Sequence, residues 1–574
     1  MHFFYHKLPF LLELFFNGLF ILIFSLVKSK LDVPLVSLNQ LEKLSIIFAE
    51  LVPYTLVVVI ALTFLIHKNL EDLFRRQIFS LIVIFPLFLI QGDLQFTYWL
   101  SSVHLFSSAL NLFDHNKKKS ELHETATSLI GRLNLSPAQV VLITFALIIM
   151  IGAFLLVLPI SAAPGVTISF MDALFTSTSA TCVTGLSTIS LRDSFSVPGQ
   201  IIVLILIQIG GLGIMTLSSS MTILMGKTLA MREQLMMQDL LEVNSLDDLL
   251  NMIIAIIKYT FMIELWGGIV LTLAFFSDGM EFGQAIYYGF YHSISAFCNA
   301  GFALFNNSLE NYAVNPIINL TVSALIIMGG LGFIALRDMK DMLVNRRSFL
   351  NLTLHTKIVI IVNVALIVVG TLFIFFNEFL NSLVNYDLLD KMQIAFFQSV
   401  STRTAGFNTI SLNNFHPHTI YVMTLFMFIG ASPGSTGGGI KTTTFAILVQ
   451  SIRSTLRGRE HVEMFDRKIP QNLILRTISV IIISLIIISV FIFLILKIET
   501  DKSFLPLFFE VISAFATVGL SLGVTGSLTA MGKLTLIALM YVGRVGPLTM
   551  VLAIGQNRVV SADINYPDGR IMIG

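Results

Sequence analysis

SATCVTGLS, residues 179–187, closes a half-apolar stretch and stands ahead of a long apolar run. Three other stretches share its pattern: SAFCNAGFA (295–303), STRTAGFNT (401–409) and SAFATVGLS (513–521). Each sets a serine five or six residues before a glycine and places Leu or Phe directly after it. The glycines are Gly185, Gly301, Gly406 and Gly519, spaced 116, 105 and 113 residues apart. Self-similarity at such intervals means one structural unit used repeatedly, here four times.

The surroundings repeat as well. A long apolar run precedes each copy (139–160, 249–276, 358–380, 472–496), followed by a shorter segment (168–180, 284–296, 389–401, 505–514). After each glycine comes a polar stretch and a second apolar run: 200–225, 317–336, 418–429 resuming past 445, and 532–555. A helix needs about 20 apolar residues to span a bilayer, so the short segments suit re-entrant helices. Each unit reads as helix, half-helix, glycine loop, helix.

Composition agrees with a membrane setting. The 574 residues are 55% hydrophobic and 12% charged, with a mean hydropathy of +0.86. Soluble domains carry about 25% charged residues. The fold class is therefore an all-α polytopic membrane protein, its four pseudo-symmetric units arranged around a central pore. A net charge of +1 and the lack of a basic stripe exclude a nucleic-acid binder. The connections 226–258, 336–357 and 451–476 hold fourteen Lys and Arg in 81 residues, against five in 156 around the glycine loops. By the positive-inside rule the connections are cytoplasmic and the loops enter from outside.

Non-helical backbone at membrane depth survives only where it is buried in protein or lines a water-filled path. Four such loops around one axis can offer carbonyls that replace the hydration shell of a cation, and that chemistry suits K+. Glycine permits the positive φ that turns the chain there, and each half-helix would aim its partially negative C-terminus at the axis. The expected filter comprises Thr181, Cys182, Val183, Thr184 and Gly185; Phe297, Cys298, Asn299, Ala300 and Gly301; Thr402, Arg403, Thr404, Ala405 and Gly406; and Phe515, Ala516, Thr517, Val518 and Gly519. The only cysteines, Cys182 and Cys298, fall at equivalent positions and read as small fillers. Arg403 is expected to turn its side chain away from the pore to a partner. Glu510, nine residues before Gly519, is expected to accept hydrogen bonds that hold the fourth loop. His292 reads as packing, and Glu264 and Lys258 form no obvious pair.

The second apolar run of unit three is cut by GASPGSTGGGIKTTT (430–444). Pro433 cannot supply a helical N–H, and Gly434, Gly437, Gly438 and Gly439 disfavour helix. Broken helices in membranes line cavities, and the charge pattern puts this break below the filter on the cytoplasmic side.

These loops, together with LTLHTK (352–357), SPGSTGGGIKTTT (432–444), GRVGPLT (543–549) and YPDGRIMIG (566–574), resemble the Trk/Ktr/HKT superfamily of potassium transporters over about residues 138–574. The likeness is greatest to the membrane subunits of bacterial Ktr systems. The resemblance implies pore units at 138–245, 246–350, 351–465 and 466–574. Residues 1–137 depart from the family pattern, and their apolar runs at 8–27, 44–67 and 77–92, with a weaker one at 94–113, predict an N-terminal extension of three or four transmembrane helices. The resemblance implies gated K+ uptake, multi-pass placement in a bacterial cell membrane with the filter facing outside, and Na+ as an activator. It also implies a homodimer in the lipid bilayer and a cytosolic ring of RCK-type subunits binding ATP, ADP or NAD. The gate would be Pro433, Gly434, Ser435, Thr436, Gly437, Gly438, Gly439 and Lys441, with Arg544 as an electrostatic barrier beneath the filter. Na+- or H+-coupled symport and weakly selective Na+/K+ transport stand as alternatives. No organic cofactor site is expected in this chain. An enzyme is not expected either: no HExxH or GxxxxGK(S/T) occurs.

Overall fold

The computed structural model describes residues 17–21, 43–47, 51–52, 55–56, 59, 101, 137–213, 246–346, 348–547 and 549–550. The chain divides into two compact units, Met1–Asn134 and Leu135–Gly574. The expected N-terminal helices fall largely outside the described residues, and so do residues 214–245 and 551–574.

Within the second unit, four helix–half-helix–helix modules follow one another. Module one is α1 (Pro137–Val157), α2 (Phe170–Thr181) and α3 (Val197–Leu212). Module two is α4 (Leu246–Ser277), α5 (Phe282–Phe297), α6 (Pro316–Leu331) and α7 (Phe333–Val344). Module three is α8 (Leu354–Glu378), α9 (Leu388–Ser401), α10 (Pro417–Phe428) and α11 (Thr442–Leu456). A two-stranded hairpin, β1 (Glu463–Met464) with β2 (Arg467–Lys468), leads into module four: α12 (Gln471–Ile498), α13 (Phe504–Ala516) and α14 (Ala530–Val545).

The first helix of each module is long and apolar enough to cross a membrane: Gln139–Val157, Ile253–Ser277, Leu354–Glu378 and Gln471–Ile498. These helices expose large apolar side chains, such as Phe154, Phe376 and Phe493, each about two-thirds or more exposed. Such a surface is stable in lipid and costly in water. The half-helices are the reverse: almost every residue in the second half of α2, α5, α9 and α13 is buried.

Small residues let the half-helices seat. Ser177, Ser293 and Ser399 donate to the carbonyls of Ile149, Glu264 and Ile367 on the first helices. Gly152, Gly267 and Gly370 leave room for those hydroxyls; a Cβ there would fall 2.4–2.6 Å from them. Close helix packing through small residues is the usual means of association where no hydrophobic drive exists between helices.

The second helices differ from the expected continuous runs. α3 stops at Leu212, before Gly213 (φ 79°), and α14 stops at Val545, before Gly546 (φ 94°). α6 and α7 are bent by 107° at Gly332 (φ 90°). Positive φ ends the helical hydrogen-bond ladder, and glycine adopts it without a Cβ clash. Each second helix packs on the half-helix of the following module: α3 on α5, α6 on α9, α10 on α13, and α14 back on α2. The modules thus close into a ring.

Candidate functional site

The four glycine loops meet at the centre of that ring. Each starts where a half-helix ends, at Thr181, Phe297, Ser401 or Ala516. The repeated serines fasten them. Ser179 and Ser513 hydroxyls accept from the amides of Gly185 and Gly519, at 3.0 and 3.1 Å. Ser295 and Ser401 instead donate to the carbonyls of Phe302 and Phe407. Val183, Asn299, Thr404 and Thr517, two residues before each glycine, hold φ between 51° and 65°. Gly185, Gly301, Gly406 and Gly519 hold φ between 70° and 92°. Two left-handed residues flanking an ordinary one turn successive peptide planes the same way, where a strand would alternate them.

The loops sit edge to edge. A Cβ on Gly185 would lie 2.5 Å from the Ala300 carbonyl oxygen, and one on Gly301 would lie 2.8 Å from that of Ala405. On Gly406 it would lie 2.6 Å from the Val518 oxygen, and on Gly519 2.1 Å from the Thr184 oxygen. Each glycine therefore abuts the carbonyl before the next one, in chain order and back to the start. Above the ring opens a cavity of about 680 Å³ that all four glycines line.

Beneath the ring lies the interrupting segment of module three. Its stem is closed by Gly430 N–H donating to Ile440 O at 2.8 Å and Ala431 N–H to Gly438 O at 3.2 Å. Thr436 donates from its hydroxyl to Phe297 O (3.1 Å) and from its amide to Gly329 O (3.2 Å). Gly437 and Gly438 pack under the Thr404 and Thr517 hydroxyls, where a Cβ would be 2.2 and 2.3 Å away. Arg544 donates to Thr436 O of this segment and to Gly210 O of module one. Lys441 donates to Gly437 O at 2.8 Å. Phe333 N–H donates to Gly434 O at 3.0 Å, so the bend at Gly332 is shaped to the segment. Thr436, Gly437 and Gly438 are buried, Pro433, Ser435 and Gly439 are half-buried, and Gly434 is exposed.

The other singled-out residues have definite places. Arg403 turns to Asn363 Oδ1 (3.0 Å) and Gly430 O (2.9 Å), and carries no salt bridge among the described residues. Glu510 accepts from the Ser521 hydroxyl in the stretch after Gly519. Cys182 and Cys298 are free and buried. His292 is packed, its Nδ1 at 2.7 Å from Tyr288 O and its Nε2 accepting from Leu304 N–H. Glu264 accepts from Gln208 at 3.0 Å, and Lys258 is not near it in any hydrogen bond or ion pair described. Among the described residues no cluster of three or more His, Cys, Asp or Glu could hold a metal ion.

Sequence reasoning missed Gly210, Gly329 and Gly543. They lie against Thr181 O, Phe297 O and Phe515 O, where a Cβ would be 1.9–2.1 Å from the oxygen. The repeated GGLG (210–213, 329–332) and GRVG (543–546) carried that signal.

A family model described as TrkH, cation transport protein, matches residues 135–559. The Ktr system potassium uptake protein B of Bacillus subtilis is 37% identical over 441 residues, covering 76% of this chain and 97% of that protein. The potassium/sodium uptake protein NtpJ of Enterococcus hirae is 36% identical over 453 residues, covering 77% and 98%. The crystal structure of the potassium transporter TrkH from Vibrio parahaemolyticus aligns with a TM-score of 0.60 at 20% identity, covering 89% of this chain and 97% of that one.

Proposed function

The chain belongs to the TrkH cation-transport family, and on that premise we propose that it carries potassium into a bacterial cell through the ring of four glycine loops. The observation that carries this reading is the closed contact of Gly185, Gly301, Gly406 and Gly519 with the carbonyls of Ala300, Ala405, Val518 and Thr184. Carbonyl oxygens held by neighbouring backbone can stand in for the water a cation sheds. Each half-helix ends at a loop, so its partial negative charge favours a cation at the axis. The relatives reported above are named as uptake proteins, which agrees with a transporter and not an enzyme.

The interrupting segment 430–441 acts as the gate, and the conformation described is the shut one. Thr436 blocks the path beneath the second loop, and Arg544 pins it there while placing a positive charge under the filter. Opening requires the segment to leave Phe297, Thr404 and Thr517. Na+ stimulates uptake, and the protein works as a homodimer in the cell membrane, filter outward. A cytosolic ring of nucleotide-binding RCK-type subunits docks on 226–248, 337–351 and 453–470, the last carrying an exposed hairpin, and on the C-terminal residues. A weakly selective Na+/K+ transporter is the second reading, favoured by the potassium/sodium name of the Enterococcus relative.

The test is K+ or Rb+ uptake in bacteria stripped of their own K+ uptake systems, with and without external Na+ and with a cognate regulatory subunit. Wild type should support uptake; Gly185→Ser and Gly406→Ser should abolish or degrade K+ preference. Full K+-selective uptake by both variants would sink the filter assignment.

A further inference from the structure

The cavity above the glycine ring has an uneven chemistry. Its polar lining among the described residues is hydroxyls and amides, including Ser187, Thr188, Asn306 and Asn408, with no Lys, Arg or His. Among the described residues one ionisable side chain lines it, Glu310. Glu310 begins a short turn after the second loop. Its Oε1 accepts from Asn408 Nδ2 at 2.7 Å, and Oε2 has no hydrogen-bond partner among the described residues. Asn408, two residues beyond Gly406, is fixed in turn by Ser308 Oγ at 3.1 Å and by Leu309 N–H at 3.0 Å. The carboxylate is thus anchored to the rim where loops two and three meet.

We propose that Glu310 makes this vestibule a collecting site for hydrated monovalent cations ahead of the filter. The proposal rests on the transport reading above and adds a residue that sets apparent affinity. A single negative charge in a water-filled recess with low-dielectric walls raises the local cation concentration. No cationic side chain in the lining opposes it. The other charged groups on the surrounding elements are committed elsewhere. Asp193 accepts from Asn306 at 2.8 Å, Asp172 is paired with Lys533, and Glu510 is bonded to Ser521. Arg192 is exposed, Tyr312 follows Glu310 in the same turn, and loop three supplies Asn408, Ser411 and Asn413 without an ionisable group. Burial raises the Glu310 carboxyl above the ordinary carboxylate range, against a smaller lowering by Asn408. Acidification outside therefore removes this charge earlier than it would a fully solvated glutamate.

The experiment is the dependence of initial Rb+ uptake on external Rb+, in the full transport system, at about pH 7.5 and about pH 5.5. Glu310→Gln keeps an oxygen for Asn408 and deletes the charge. It should raise KM roughly threefold at the higher pH, leave the maximal rate unchanged, and lose the wild-type rise of KM on acidification. Placing the charge elsewhere on the wall, Ser411→Asp in the Glu310→Gln background, should restore the lower KM. Equal KM and equal pH profiles for wild type and Glu310→Gln would overturn the proposal, as would a fall in maximal rate alone. Should Glu310→Gln not reach the membrane, Ser411→Asp in wild type decides: a lowered KM supports the collecting site, and an unchanged KM overturns it. Absence of uptake by wild type would instead strike the transport reading itself.

Discussion

Left-handed φ at Val183, Thr404 and Thr517 is an unusual choice, because a β-branched side chain crowds its own backbone there. Such conformations cost on the order of 1–3 kcal/mol each and persist only where the surroundings over-determine them. Here the surroundings include the repeated serines. Ser179 and Ser513 give the glycine amides an acceptor inside protein, where no water would otherwise satisfy them. Replacing Ser513 by Ala should cost about 1–3 kcal/mol, since it strands a buried N–H. The helices should still assemble, because the half-helix α13 is seated by its buried apolar face. The expected outcome is a weaker preference for Rb+ over Na+, read as Na+ competition against Rb+ uptake, with protein abundance little changed. An unaltered preference would make the serine a packing residue and no more. The serines and glycines were visible in the sequence as a repeat. The left-handed residues between them were not, since Val and Thr announce no positive φ and only Asn299 is of a type that favours it.

Element boundaries were legible for the first helices and half-helices, whose apolar runs end within a few residues of the observed termini. In modules one, two and four the second helix ends or bends at a glycine that the apolar run passes through. Apolar content continues through Gly213, Gly332 and Gly546, and periodicity alone cannot register a single residue at positive φ. The break in module three was legible because Pro433 and the following glycines change composition as well as conformation. What the sequence could not convey is where that segment folds back. It lies against the second glycine loop through Thr436, and Arg544 joins it to α3 of module one. Charge-assisted hydrogen bonds are worth about 1.5–3 kcal/mol each. Arg544→Gln should therefore weaken the shut state enough to raise the open fraction roughly tenfold or more. Removing 434–439, which includes the Thr436 acceptor of Arg544, should do the same. Cation flux from liposomes containing the purified protein measures both, and flux equal to wild type in the two variants would end the assignment of this segment as gate.

At the scale of the molecule the ring has one seam that the chain does not cross. Modules one to two, two to three and three to four are joined covalently; module four meets module one through packing of α14 on α2. Three polar contacts among the described residues cross that seam, one of them the bond from Arg544 to Gly210 O. Lys533 pairs with Asp172 at 2.7 Å across 361 residues, and the Tyr541 hydroxyl donates to Leu142 O at 2.6 Å. Asp172 also accepts from Thr188, just beyond the first glycine loop. The contact of Gly519 with Thr184 O lies across the same seam, so the ring of glycine loops closes only if the seam does. Burial pushes the Asp172 carboxyl up, but bonds from Lys533, Ser169 and Thr188 outweigh it and hold the group below its ordinary value. A depressed carboxyl stabilises the folded state fully above its unfolded pKa and loses that contribution as pH falls through the folded value. The pair is partly exposed, so solvent screening limits it to about 1 kcal/mol. Lys533→Met should lower the melting temperature of the purified protein by a few degrees at neutral pH. The difference from wild type should begin to shrink below about pH 4 and close only as the pH falls through the lowered folded value, where wild type loses the same contribution. Because loop one hangs from this seam, the variant should also admit more Na+ at neutral pH. A melting temperature and selectivity indistinguishable from wild type would mean that packing of α14 on α2 closes the ring unaided.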